Sequence, residues 1–479
     1  MPLFKVNIKW GRETFKDVEV NTDEDPLVFK AQLYALTGVI PERQKVMFKG
    51  SSLKDDTWNG IKVENNCTVL LMGSKEEDLP VEPVVKPRFV EDMNDSELAS
   101  ASNVPAGLAN LGNTCYMNAT VQCLKTVPEL RDALRNFKGG MSGISAHTVT
   151  AALRDLYELM DKGLSIPPIM LLQVLQMIFP RFAEKNENGT FVQQDANECW
   201  TEIVRMLQQK LESVNSDKPS SNKYFVDQFF GGVFDVELKC DEAGNEPVSK
   251  SEENFLQLSC FISQDVKHMH TGLLSKLQEK ITKHSKVLDR DAIFTRTSRI
   301  KRLPAYLTVQ FVRFYYKEKE AINAKILKEV KYPFEFDAYD LCTPELQNAL
   351  KPMRDRFKEY DDKKALVAKM KKNPDTEDGV KEDLEKQPVY FENDLGSNNS
   401  GLYTLQAVLT HRGRSSSSGH YVAWIKHTND TWMKCDDDVV TPVPKESILK
   451  LCGGGDWHVA YVLLYGPRIL EIPVNGKKS

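Results

Sequence analysis

A proline-rich, acidic stretch from residue 75 to 104, KEEDLPVEPVVKPRFVEDMNDSELASASNV, divides this chain into two parts that must build separate cores. It carries three prolines, many acids and no sustained hydrophobic period, so neither a helix nor a strand gains from forming there. The expected organisation is a small domain over 1–75, a flexible linker over 76–104, one large α+β body over 105–468 and a short tail over 469–479. A linker of ~30 residues reaches up to ~90 Å when extended, so it tethers the small domain without fixing its orientation. With 41% hydrophobic residues in 479, both bodies can bury substantial cores, which excludes wholesale disorder.

The 63 Lys and Arg against 68 Asp and Glu leave a net charge of −5, without the basic excess of a nucleic-acid binder. No apolar run approaches the roughly 20 residues of a membrane span. Lys5, Lys9 and Arg12 stand where a signal peptide would need its apolar stretch. The expectation is a soluble protein of the cytoplasm, with the nucleus also open to it. Nine cysteines at wide, irregular spacing do not read as a disulfide framework, and no CxxC pair or nearby histidine cluster suggests zinc. No metal and no cofactor are expected.

In the small domain, Phe4, Val6, Ile8 and Trp10 alternate with polar residues, and Gly11 turns the chain back into Phe15–Val20, a β-hairpin. Pro26 and Gly38 bracket one helix of about three turns. Strands are expected at 45–49 and 68–72. This order, with QKVMFKGSSLKDD after the helix, resembles ubiquitin and ubiquitin-like domains, which implies a β-grasp fold. The last strand ends VLLMGS without the terminal Gly-Gly needed for conjugation. If Val69 and Leu71 face the core, Leu70 and Met72 turn outward beside Met47, forming an apolar docking patch.

In the large body, GLANLGNTCYMNATVQCL sets Cys115 between a Gly- and Asn-rich turn and a helix-like run. Backbone N–H groups at a helix start favour a thiolate, and the preceding turn can aim donors at an oxyanion. Cys123, Cys199 and Cys342 read as small buried hydrophobes. A base is offered by RGRSSSSGHYVAWIKHTNDTWMKCDDDVV: strands at 421–426 and 431–435 around HTND pair residues whose numbers sum to about 857. His420 then faces Asp437, and a slip of one residue substitutes Asp436 or Asp438. This is Cys-His-Asp logic, in which a carboxylate orients the imidazole and the imidazolium holds the thiolate.

Four ordered blocks, GLANLGNTCYMN, QQDANECW, LPAYLTVQFVRF and GHYVAW with DDD and AYVLLY, resemble the ubiquitin-specific cysteine proteases. With the ubiquitin-like domain in front, the whole chain is similar to proteasome-associated members of that family. The resemblance implies a papain-like protease domain of thumb, palm and fingers that hydrolyses isopeptide bonds after the C-terminal glycine of ubiquitin. It makes Cys115 the nucleophile, His420 the base and Asp436, the first acid of DDD, the third member. Asn110 becomes the oxyanion donor and Asp437 a polar support beside it. For substrate binding it points to Gln194, Asp195, Tyr421 and Trp457. Asp195 is expected to face outward from a helix whose apolar positions are Cys199, Ile203 and Met206, ready to hold the ubiquitin tail. Many relatives carry two CxxC pairs in the fingers; residues 228–262 here hold only Cys240 and Cys260. His411, His427 and His458 are assigned no role, and Gly453–Gly455 is read as a loop beside the site.

Gly413 to Gly419, containing Ser415, Ser416, Ser417 and Ser418, is small, polar and one residue from His420. It is expected to act as a lid over the groove for the ubiquitin tail. Arg412 and Arg414 precede Ser417 as R-x-R-x-x-S, a pattern for a basophilic kinase. The expected partners are ubiquitin, polyubiquitinated proteins and the 26S proteasome, reached through the ubiquitin-like domain. An adaptor with a vestigial triad and a general papain-like protease are the competing readings.

Overall fold

The structure is a computed structural model that describes residues 3–473, except 56, 59, 75–103, 141–142, 144, 215–223, 318–321, 371–383, 416–417, 429 and 456. The chain forms two compact units, residues 1–92 and 93–479. Their boundary lies in the expected linker, which falls outside the described residues apart from Val104.

The first unit has strands β1 (Leu3–Trp10) and β2 (Glu13–Asn21), helix α1 (Pro26–Thr37), and strands β3 (Lys45–Phe48), β4 (Ser51–Ser52) and β5 (Thr68–Met72). The sheet order is β2-β1-β5-β3-β4, with β1 parallel to β5 and the other pairs antiparallel. The carboxylate of Asp25 accepts from Leu27 N at 2.9 Å and caps α1, while Gly38 (φ 75°) closes it in the left-handed conformation. Phe29 and Leu33 from α1 meet Val6, Ile8, Val69 and Leu71 in a closed core. Met47 pairs with Leu70 across β3 and β5; both are half-buried on the outer face, and Met72 is exposed.

In the second unit, helices α2 (Cys115–Lys125), α3 (Pro128–Asn136), α4 (Ser145–Met160), α5 (Ile169–Ile178) and α6 (Ala196–Lys210) come first. Strands β6 (Gly232–Cys240), β7 (Ser249–Phe255), β8 (Leu258–Phe261), β9 (Gln278–Ser285), β10 (Arg290–Arg302) and β11 (Leu307–Val312) follow. A hairpin, β12 (Phe314–Lys317) and β13 (Ile322–Lys325), precedes β14 (Leu402–Arg412), β15 (His420–Lys426), β16 (Thr431–Asp436), β17 (Val439–Pro444) and β18 (Val459–Pro467). The large sheet runs β8-β11-β18-β14-β15-β16-β17, with Glu335–Asp337 added on β14.

Its central strands are buried on both faces, which explains unbroken apolar runs such as YVAWI and AYVLLY. Tyr421, Ala423, Val462 and Leu464 face the helices, whereas Val422, Trp424, Leu463 and Tyr465 face a second core. Helix α2 lies inside the first core and is buried from Cys115 to Leu124, so its polar residues bond internally: Thr120 to Tyr116 O, and Gln122 to Ala106 O at 2.7 Å.

A separate sheet, β9-β10-β6-β7, carries surface ion pairs such as Arg296 with Glu253 at 2.6 Å. Cys240 packs in its small core, whereas Cys260 belongs to β8 and the large sheet. At the start of the expected tail, Glu471–Pro473 pairs with Leu384–Lys386. The sequence also suggests surface insertions at 213–222 and 354–394; most of the first lies outside the described residues, and the charged second begins within a helix over Pro344–Met370.

Candidate active site

The turn before α2 is built from its own side chains. Asn110 Oδ1 accepts from Gly112 N at 3.0 Å and Thr114 N at 3.2 Å, and Thr114 Oγ1 accepts from Leu111 N at 3.0 Å. Gly112 (φ 104°) and Asn113 (φ 54°) take the left-handed backbone this tight path requires. The turn delivers Cys115 as the first residue of α2, 2% exposed, at the positive end of the helix dipole. Tyr421 N donates to Cys115 Sγ at 3.5 Å, tying the nucleophile to β15.

His420 opens β15, and its Nε2 meets Asp436 Oδ1 at 2.6 Å. The hydrogen bond to Asp436, then that to Cys115, raises the imidazole from 6.5 to about 10, so it is an imidazolium at neutral pH. Asp436 is driven well below the carboxylate range by His420 and by Lys434, whose Nζ lies 2.7 Å from Oδ2. Ala423 pairs with Cys435 and Trp424 with Lys434, a sum of 858 rather than 857. The ladder ends there, Asp437 and Asp438 form the turn into β17, and Asp436 is the acid that reaches His420. The register arithmetic that favoured Asp437 is therefore corrected, and the carboxylate implied by the resemblance is the one in contact.

Asp437 instead turns away with φ 54° and braces the approach to the nucleophile. Its carboxylate accepts from Asn110 Nδ2 at 2.9 Å and Asn118 Nδ2 at 2.8 Å, and its carbonyl accepts from Leu108 N at 2.9 Å. Asn118 was not singled out from sequence; its place one turn after Cys115 is the only signal for it. Among the described residues, His420, Asp436 and Asp437 are also the one group compact enough to hold a metal, with ligand atoms within 4.8 Å. The dyad contact and the two asparagines already engage these atoms.

The expected substrate-binding residues divide. Trp457 is 57% exposed beside His458, and Gln194 is half-buried. Tyr421 is corrected: its ring is buried against His411 and Tyr461, leaving only its backbone at the nucleophile. Asp195 does not point freely outward. It caps α6, accepting from Asn197 N at 2.7 Å, and receives Tyr461 OH at 2.8 Å on its other oxygen. Burial raises its pKa against the pull of these donors. Tyr461 had no sequence signal beyond its apolar strand.

Ser416 and Ser417 lie outside the described residues. The described ends of their loop are anchored: His411 Nε2 meets Ser418 O at 3.0 Å, and Lys325 N donates to Arg414 O at 3.0 Å. Lys325 Nζ also donates to His411 O at 2.6 Å, linking the β12–β13 hairpin to the neck of the loop. At that neck Gly419 (φ 115°) has no room for a side chain, since a Cβ would lie 2.1 Å from Arg412 O. His411 is fully buried, and burial followed by the Lys325 charge depresses it to about 3. Its ring is neutral, with the Nε2 proton donated to Ser418 O and a buried Nδ1. The strand histidine assigned no role is thus the anchor of the expected lid.

Comparison with known proteins gives a consistent result. The ubiquitin carboxyl-terminal hydrolase family profile matches residues 106–465. Ubiquitin carboxyl-terminal hydrolase 7 of Arabidopsis thaliana is 39% identical over 484 residues, covering 98% of this chain and 100% of that protein. Ubiquitin carboxyl-terminal hydrolase 14 of Caenorhabditis elegans is 41% identical over 483 residues, covering 98% and 94%. Among solved structures, the SAGA Ubp8/Sgf11/Sus1/Sgf73 module bound to ubiquitin aldehyde aligns with a TM-score of 0.53 at 20% identity, over 79% of this chain and 73% of the matched chain. That structural likeness supports the fold.

Proposed function

This chain belongs to the ubiquitin carboxyl-terminal hydrolase family and is a cysteine-type ubiquitinyl hydrolase; from that premise we propose that Cys115, His420 and Asp436 cut the isopeptide bond after the ubiquitin C-terminal glycine, on proteins held at the proteasome. The observation that carries the assignment is the 2.6 Å contact of His420 Nε2 with Asp436, on the strand whose next N–H holds Cys115 Sγ.

In this reading Cys115 attacks the glycine carbonyl as a thiolate, and the carbonyl oxygen becomes an oxyanion. The Asn110 amide, released from Asp437, joins backbone N–H groups at the start of α2 in stabilising it. The His420 imidazolium gives its proton to the departing lysine amine, leaving a thioester. His420, now neutral, takes a proton from water, whose oxygen attacks the thioester, releasing ubiquitin and restoring the Cys115 thiolate beside the imidazolium. Asp436 keeps the ring oriented throughout.

The N-terminal unit is read as a ubiquitin-like β-grasp domain. Its outer-face residues Met47, Leu70 and Met72 would dock on a proteasomal receptor for ubiquitin folds, in the cytoplasm or nucleus. The loop from Gly413 to Gly419 would act as a lid limiting basal turnover, with Ser417 as its phosphorylation point. Anchoring by His411 and Lys325 supports a lid with a defined resting position. The test is hydrolysis of a ubiquitin C-terminal fluorogenic substrate with and without purified proteasome. Cys115→Ala should remove turnover by at least about 10⁴-fold, and proteasome should raise the wild-type rate. Full turnover by Cys115→Ala would refute the nucleophile, and proteasome binding without any turnover would refute the triad.

A further inference from the structure

Helix α2 carries Cys115 at one end and borders a different site at the other. A cavity of about 850 Å³ opens there, between the C-terminal end of α2, helix α3 and the end of β15. At 1.5 Å per residue, the helix sets this cavity about 15 Å from the nucleophile. Its lining brings together Lys125, Arg131, Lys426 and His427 with one acid, Asp161.

Asp161 is already committed, to Lys125 at 2.8 Å and to Arg135 at 3.1 Å. Arg131 and Lys426 have no ion pair or side-chain hydrogen bond among the described residues, and Arg131 Nε is buried without a partner. A half-buried guanidinium or ammonium is ordinarily paired, because burial strips its water without returning a counter-charge. Burial lowers Lys426, with Lys445 adding to the effect and Glu335 opposing it; burial also lowers Lys125, against the hydrogen bond and charge of Asp161, with smaller additions from Arg131 and Arg135. Gln122, 2% exposed, also lines the cavity; its Nε2 is fixed on Ala106 O, leaving Oε1 as a buried acceptor without a donor.

We propose that this cavity binds a phosphate monoester carried by a small polar molecule. Two unpaired cations match the charge of the dianion, and the Arg131 fork suits paired phosphate oxygens. The cavity volume leaves room for the organic part beyond the phosphate. None of these residues belongs to the hydrolytic machinery.

The test is calorimetric titration of the full chain at low salt with glucose 6-phosphate, inorganic phosphate, glucose and a phosphoserine peptide. One molecule of glucose 6-phosphate should bind, more tightly than inorganic phosphate, while glucose gives no heat. Arg131→Met and Lys426→Met should each weaken it at least tenfold, Lys426→Arg should restore it, and the distant Lys301→Met should leave it unchanged. The restored binding in Lys426→Arg separates loss of charge from loss of folding. Absence of glucose 6-phosphate binding, or binding indifferent to both methionine variants, overturns the site. A peptide that binds more tightly than the sugar phosphate overturns the small-molecule assignment.

Discussion

His411 and His420 lie on neighbouring strands at the neck of one loop, and they are held in opposite charge states. His420 faces Asp436 and is raised to about 10; His411 faces Lys325 and a backbone carbonyl in a closed core and is lowered to about 3. The residue type is the same, so the difference lies in what each ring meets. One end of the loop holds a charged imidazolium against a carboxylate, and the other a neutral hydrogen-bonded ring.

The strongest way to break this comparison is Asp436→Asn, which removes the carboxylate and should lower turnover on a ubiquitin C-terminal substrate by about 10³- to 10⁴-fold. Steady-state kinetics should place the loss in kcat, and an unchanged kcat would separate Asp436 from the chemistry. His411→Phe acts at the other end, where it keeps an aromatic ring but deletes the bond to Ser418 O. A hydrogen bond worth about 1 kcal/mol should translate into a two- to tenfold rise in basal turnover, read in the same assay without proteasome.

The smallest effects are on stability and have opposite signs. His420, raised above its ordinary 6.5, stabilises the fold fully below 6.5 and loses that contribution as pH rises towards 10. Asp436, lowered from 3.8, contributes above 3.8 and loses its contribution as pH falls. Asp436→Asn should therefore be most destabilising between about pH 4 and 6.5. His411, lowered towards 3, resists protonation in the fold, so its cost grows as pH drops below 6.5. Lys325, His458 and His420 all oppose a proton there, and only the Ser418 carbonyl favours one. Denaturant unfolding of His411→Phe should show a shallower loss of stability between pH 6.5 and 4 than wild type.

Much of this was legible in the sequence where local signals were strong. The Asp25-Pro26 start and Gly38 stop marked α1 because caps act within a few residues, and the turn before Cys115 marked the start of α2 for the same reason. The hairpin around His427–Asp430 was placed within one residue. That error of one residue pointed to Asp437 on the wrong face, and only the resemblance to the protease family singled out Asp436, the acid in contact with His420. What sequence could not disclose depended on residues distant in the chain. Tyr461 closes on Asp195, Asn118 braces Asp437, and Lys325 reaches His411, each through the tertiary fold. Tyr421 shows the same limit, since adjacency to His420 suggested the surface while strand alternation turned its ring into the core.

The central claim is that His420 rests as an imidazolium paired with Asp436 and Cys115. Its most direct test is an NMR pH titration of histidine-labelled enzyme, with His420 assigned by the signal missing in His420→Gln. The account predicts that the wild-type His420 ring stays protonated through pH 8 and titrates near 10, and that in Asp436→Asn it moves down towards 6.5. A wild-type ring that titrates near 6.5, unmoved by Asp436→Asn, would contradict it.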